Sequence, residues 1–484
     1  MTDLSIVPAG AGAGKTHHIK ETLADWVETN EVSASRILAV TFTEAAASEM
    51  RERIRSTLMA RGRIDDALEI DRAYIGTIHA LGQRLLTEHA FASGRSPESR
   101  LLTDPERDLL IRLEMGRCAS LEPVMAELGR FGYAWDPQTG LSAEEKFRAK
   151  LLQTVDLIRS LGERGASPDI LNSALKELSE GYGAPEDNGK ALTDSLKQAV
   201  HALLAEFPQN LASMFSSKKT VADAFSKNHR DLRRAAEDDV LSRDWSLWQK
   251  LRGLRLSKKG TPTPAGYDTL AEAVMAAADA LPRHPGPLED ARAHLTALVT
   301  GAQEVLAAYQ AAKRDAGLID YADMIVETES LLRKDPSILN SVLGEIDCVV
   351  IDEFQDTNPV QFALLWRLAS QAKHALIVGD TKQSIMGFQG ADARLSTALA
   401  NANPDVIAPL DRNWRSDPRI MAFVNALGPV LFPDGYTPLV PVRDETGEIA
   451  LEVLNLPSSA FTKGPTCIAN RVSDLLDKHT LVFD

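Results

Sequence analysis

Cysteine is scarce: Cys118, Cys348 and Cys467 are the three in 484 residues, and no two share a C-x-x-C spacing. Disulfides, zinc fingers and iron–sulfur ligation are therefore not expected, and a reducing cytoplasm fits this usage best. Long hydrophobic runs are missing too. No window approaches eighteen uninterrupted apolar residues, so no transmembrane helix is expected. A basic stretch followed by an apolar one is absent from the first residues, and with it any expectation of a secretory signal. Positive charge is in deficit. The net charge of −15 argues against a surface coated for duplex binding. It leaves single strands open as partners, because local stacking and a few phosphate contacts suffice to hold them. What remains is 44% hydrophobic and 25% charged, an ordinary globular composition with length enough for two to four domains.

Residues 3–95 alternate strand and helix signals. Leu4–Pro8 reads as a short strand, followed by a glycine-rich loop and a helix from about Lys15. Ile37–Thr41 is a second strand, Glu44–Leu58 a helix, and Ala73–Thr77 leads into the helix Ala80–His89. This is the βαβ rhythm of a parallel sheet. From 96 to 316 the apolar spacing turns to three and four, as in Glu144–Leu161, Ala191–Leu211 and Ala271–Leu281. Strand signals resume at Ile346–Ile351 and Ala375–Val378, with the helix Val360–Ala369 between them. The fold expected is α/β, a parallel sheet with helices on both faces, interrupted by a large all-helical insertion.

The run Ala9-Gly10-Ala11-Gly12-Ala13-Gly14-Lys15-Thr16 follows a strand and opens a helix. Small residues let backbone N–H groups close around phosphate oxygens, and the helix N-terminus favours their charge. At this offset Lys15 reaches the β- and γ-phosphates and Thr16 a Mg²⁺ ion. The strict pattern begins with Gly where this chain has Ala9. Val349-Val350-Ile351-Asp352-Glu353 supplies the complementary half, an apolar strand ending in two carboxylates. Asp352 is expected to hold the Mg²⁺ of bound ATP, and Glu353 to orient or deprotonate the attacking water. Two further segments suit the same site: Leu376–Ile385, a strand running into a polar loop, and Leu410–Ser416, which sets Arg415 beside Trp414.

Together these segments resemble the superfamily 1 DNA helicases of the UvrD/Rep/RecB group. The matches are Ala11–Thr16; Thr41-Phe42-Thr43 with Ala46, Ala47, Glu49 and Met50; and Gly76-Thr77-Ile78-His79. They continue with Asp320-Tyr321-x-Asp323, Asp352–Thr357 with Gln361, Val378–Asp380 with Gln383–Ile385, and Asn413–Ser416. The resemblance implies a RecA-like P-loop motor domain, 1A, in two parts, 1–95 and 317–425. Residues 96–316 would be a 1B-like helical insertion, and 426–484 the start of a truncated 2A-like second motor domain. It further implies that Gln383 couples the γ-phosphate to the DNA path, that Arg415 is an arginine finger, and that Trp414 stacks on adenine. Thr41, Phe42, Thr77 and His79 would line the single-strand channel, with Phe388 stacking a base. The implied activity is ATP-dependent translocation or unwinding, 3′→5′, in repair or recombination, with single-stranded or tailed DNA as partner. Further implied partners are a nuclease or a second motor subunit.

Departures from the family pattern also count. Met386 and Gln389 stand where an aromatic and a cation are common, and the eight residues before Ala9 hold no adenine-reading glutamine motif. That leader, and the roughly 240 residues between His79 and Asp320, resemble RecB or AddA more than UvrD. No segment after Ser416 resembles the two remaining motor motifs. The alternative reading is therefore an ATP- and DNA-binding module without independent motor activity, from a truncated gene or a split complex such as a phage-defence system. Trp245, Trp248, Arg252, Arg255, Lys258 and Lys259 form an aromatic–basic cluster, read as a packed helix face ending in a solvated turn. The pair His17-His18 is read as helix surface.

Overall fold

The computed structural model describes residues 2–94, 96, 99–186, 188–433, 435–446 and 460–478, with the side chains of 388, 389, 460–463 and 475–478 excluded. The chain divides into two compact units: one of residues 1–81, 339–357 and 365–484, the other of 82–338 and 358–364.

The first unit is built on a five-stranded parallel sheet. Its strands are β1 (Asp3–Pro8), β2 (Ile37–Thr41), β3 (Tyr74–Thr77), β4 (Cys348–Ile351) and β5 (His374–Gly379), in the spatial order β1-β5-β4-β2-β3. All residues of β2 and β4 are buried, which is why these strands read as unbroken apolar runs rather than alternating ones. Burying a parallel sheet on both faces supplies most of the unit's stability, at about 25 cal/mol per Å² of apolar surface. The core joins Val7, Ala39, Val350, Leu376 and Val378 of the strands to Ile19, Leu23 and Val27 of the helix Lys15–Glu28 and Met50, Ile54 and Leu58 of the helix Glu44–Ala60. The order β5-β4-β2 inserts two late strands between early ones, so the ends of β1, β4 and β5 lie side by side. Ligands in open parallel sheets bind beyond such carboxyl ends.

Among its described residues the second unit is mainly helical, with a two-residue parallel pair, Arg100–Leu101 with Leu318–Ile319, and an isolated bridge between Lys258 and Thr261. One core gathers Phe147, Leu151 and Val155 against Ala302, Val305 and Tyr309 of the 31-residue helix Pro285–Asp315. Another surrounds Trp248, which is fully buried and donates its indole N–H to Leu241 O at 2.8 Å. Trp245 donates to Asp290 at 2.8 Å, and Lys258 and Lys259 are exposed, so the aromatic–basic cluster is a packed helix face with a solvated turn.

Several boundaries differ from expectation. The helix expected over Ala191–Leu211 runs Gly189–Glu206, and Leu211–Phe215 forms a separate 3₁₀ turn. Pro208 lies between them; it disfavours helical backbone at Phe207 and offers no N–H of its own. The helix expected over Ala271–Leu281 runs Tyr267–Ala278, opened by Gly266 at φ 87°.

Candidate active site

Residues 9–14 form the loop between β1 and the helix Lys15–Glu28. Gly12 and Gly14 take φ of 75° and 87°, a left-handed backbone that side chains with a Cβ resist. A Cβ on Gly12 would also stand 2.7 Å from Asn413 Nδ2. That closeness reflects how the loop is braced. Asn413 Nδ2 donates to Ala11 O at 2.8 Å, Trp414 N to Gly12 O at 2.9 Å, and Ala9 N to Gly379 O at 3.0 Å. Gly10 faces the side chain of Leu439, and Ala13 is buried in the core. Asn413 Oδ1 accepts from the amides of Arg415 and Ser416 at 3.0 and 2.8 Å, so one buried side chain sets both the loop and its rim. Trp414 is exposed, its indole beside Gly14, and the Arg415 side chain is exposed as well.

Lys15 donates to both carboxylate oxygens of Glu353 at 2.8 Å. Glu353 itself has a left-handed backbone at φ 52°, a conformation that costs a non-glycine residue on the order of 1 kcal/mol. The chain turns there at the end of β4 and carries the carboxylate to Lys15. Beside it, burial and then the Glu353 charge push the Asp352 carboxyl up to about 6, with Lys15 opposing. One Asp352 oxygen accepts from the Glu353 amide at 3.0 Å. A buried carboxylate after β4 and a hydroxyl in the first turn of the helix Lys15–Glu28 are hard oxygens of the kind Mg²⁺ takes, with waters and phosphate oxygens as its other ligands.

From β5 the loop continues through Asp380, whose Oδ2 accepts from Gln383 Nε2 at 2.8 Å. The structure thus brings Lys15, Thr16, Asp352, Glu353, Gln383, Trp414 and Arg415 onto elements of one unit. On the next strands, Thr41 and Thr77 are direct neighbours in register at the ends of β2 and β3. Thr77 Oγ1 donates to Glu44 at 3.0 Å, Thr41 Oγ1 to Thr43 O at 3.0 Å, and Phe42 is half-buried. His79 follows on the next helix, where burial lowers its pKa and keeps a neutral ring at pH 7. The Phe388 side chain lies outside the described residues. His17 is exposed, and among the described residues no group of three or more His, Cys, Asp or Glu side chains is placed to hold a metal.

Some partners were not read from sequence. Gln355 was legible only as part of a motif, yet it is 2% exposed and touches both Glu353 and the Asp380 amide. Asp320 and Asp323, matched by motif alone, sit in the helical unit as the capping box of the helix Tyr321–Lys334. They pair there with Arg159 and Lys313, both buried.

A model of the UvrD/REP helicase N-terminal domain matches residues 2–404. The chain belongs to this helicase family. Among curated relatives, an ATP-dependent helicase/nuclease subunit from Syntrophomonas wolfei is 27% identical over 481 aligned positions, covering 87% of this chain and 36% of that protein. The RecBCD enzyme subunit RecB of Escherichia coli is 25% identical over 464 positions, covering 87% of this chain and 37% of RecB. The helicase/nuclease counterpart from Streptococcus equi subsp. zooepidemicus strain MGCS10565 is 25% identical with the same coverage. This UvrD-like chain therefore spans little more than a third of the relatives it matches, and its layout is that of RecB and the helicase/nuclease proteins. No helix among its described residues is long and apolar enough to cross a membrane.

Proposed function

We propose that this UvrD-like chain is the ATP-hydrolysing part of a DNA translocase or helicase, acting 3′→5′ on single-stranded or tailed DNA in repair or recombination. The observation that carries the reading is the Lys15–Glu353 pair, which sets a phosphate-binding cation against a carboxylate at the head of a parallel sheet. On the adjacent strands of that sheet stand Thr41 and Thr77. Residues 96–316, which fall within the compact unit of 82–338 and 358–364, serve as the insertion domain, and 426–484 as the start of a second motor half. A cytoplasmic setting, and a partner that is a nuclease or a second motor protein, complete the reading.

In this mechanism the amides of residues 10–14 and the Lys15 ammonium take the β- and γ-phosphates. Drawing Lys15 onto phosphate releases Glu353 from the ammonium, and its carboxylate then accepts a proton from the attacking water. Arg415 offsets charge building on the transferred phosphoryl group, and Trp414 offers a face to the adenine. Thr16 and Asp352 would hold Mg²⁺, which supplies charge neutralisation at the phosphates when bound. Gln383 passes the state of the nucleotide to the loop ahead of Phe388, while Thr41, Phe42, Thr77 and His79 contact the strand.

The alternative is an ATP- and DNA-binding module of a split or larger assembly. ATP turnover by the purified chain, with and without single-stranded DNA, separates the two. Turnover that rises with DNA and disappears in Lys15→Ala supports the motor. Nucleotide binding without turnover supports the module.

A further inference from the structure

We infer that Gln355 is a positioning residue that ties the carboxylate of Glu353 to the Gln383 loop, so that DNA-side movement of that loop reaches the hydrolytic water. The inference rests on the proposed role of Glu353. Gln355 Nε2 donates to Glu353 Oε2 at 2.7 Å, while its Oε1 accepts from the Asp380 amide at 2.8 Å. Asp380 in turn holds Gln383 through its own carboxylate at 2.8 Å. A continuous hydrogen-bonded path thus runs from Lys15 through Glu353, Gln355 and Asp380 to Gln383.

Two features show that the path is built rather than incidental. First, the amide can sit only one way round. Its nitrogen faces carboxylate oxygens of Glu353 and, at 3.4 Å, of Asp356, while its oxygen faces an N–H. Exchanging the two would set oxygen against carboxylate and nitrogen against donor. Second, room has been made for it. A Cβ at Gly379 would stand 2.5 Å from Gln355 Oε1, so β5 ends in the residue that lets the amide reach the strand. With Gln355 only 2% exposed, water cannot readily replace these bonds, and leaving either end unpaired is costly.

The consequence lies in what happens when phosphate takes Lys15. Glu353 then loses both bonds to the ammonium and keeps the one to Gln355. From that point the carboxylate is aimed by an amide anchored at the root of the Gln383 loop. A shift of the Asp380 backbone moves Gln355, and Gln355 moves the group that faces the water.

The test uses the full chain, a fluorescent oligo-dT and Mg-ATPγS, comparing wild type with Gln355→Met and Gln355→Asn. The first variant keeps bulk without hydrogen bonds. The second keeps the neutral amide but is one methylene too short to join Glu353 and the Asp380 amide at once, which guards against loss of fold in the first. Wild type is expected to change its DNA affinity by about fivefold or more when nucleotide is added. In both variants each ligand alone binds within about twofold of wild type, yet that coupling disappears; where the wild type turns over ATP, kcat falls by about 10- to 100-fold with KM little changed. A merely structural role would instead weaken both ligands together and leave the coupling between them in place. Coupling retained in a folded variant, or absent from a wild type that binds both ligands, overturns the inference alone. A wild type that binds neither ligand overturns the functional reading and the inference with it.

Discussion

Gly12 shows how much one residue can be asked to do. Its backbone is left-handed, and the space a Cβ would need is held by Asn413 Nδ2 at 2.7 Å and Arg415 Cβ at 2.9 Å. Gly12→Ala therefore combines about 1 kcal/mol of backbone strain with displacement of the brace. Nucleotide affinity, measured by titration with a fluorescent ATP analogue, is expected to fall by about tenfold or more. Gly62 offers the control: its φ is 76°, but a Cβ there meets nothing within 4 Å. Gly62→Ala should leave nucleotide affinity unchanged, and an equal loss in both variants would show that strain alone matters.

The helix Tyr321–Lys334 is fixed at its start by two buried carboxylates. Asp320 and Asp323 form its capping box, with Asp323 N donating to Asp320 Oδ1 at 3.0 Å and Asp320 N to Asp323 Oδ2 at 3.1 Å. The same carboxylates take Arg159 from the helix Ala143–Ser160 and Lys313 and Tyr309 from the helix Pro285–Asp315. Three helices of the unit meet at one buried set of charges. Burial alone would raise the Asp320 carboxyl, but the Arg159 charge and hydrogen bond, with Lys313, outweigh it and hold the group well below the carboxylate range. A depressed carboxyl stabilises the fold at pH values above its unfolded pKa and loses that contribution as pH falls through its folded one. Asp320→Asn leaves two buried cations short of an anion and should cost about 3–5 kcal/mol at pH 7. The gap to wild type in urea denaturation should persist at pH 5 and narrow as the pH drops below 4, the ordinary carboxylate range. A gap that widened in acid would contradict the assignment.

For the whole molecule, two units with separate cores predict more than one unfolding transition. All the candidate nucleotide contacts belong to the first unit. Mg-ATPγS at a hundredfold excess over its dissociation constant should therefore add about 2.7 kcal/mol to one transition and leave the other in place. Scanning calorimetry reads this directly, and a single transition that moved as a whole would show that the units unfold together.

Sequence alone determined the parts whose signal is local. The all-buried strand Ile37–Thr41 was legible from its unbroken apolar run, the turn from β1 into the helix Lys15–Glu28 from its glycines, and the carboxylate pair from its place after an apolar strand. These are properties of contiguous residues, set by backbone sterics and by burial on both faces of a sheet. Helix ends were less legible where a single proline decides the outcome, as at Pro208. Only the tertiary structure could decide who faces whom. Asn413 braces Ala11 across 402 residues, Gln355 joins Glu353 after β4 to Asp380 after β5, and Arg159 meets Asp320 across 161. Side-chain hydrogen bonds reach about 3 Å and carry no trace of sequence distance, so they come into being only when the sheet order and the helix packing have already placed both partners.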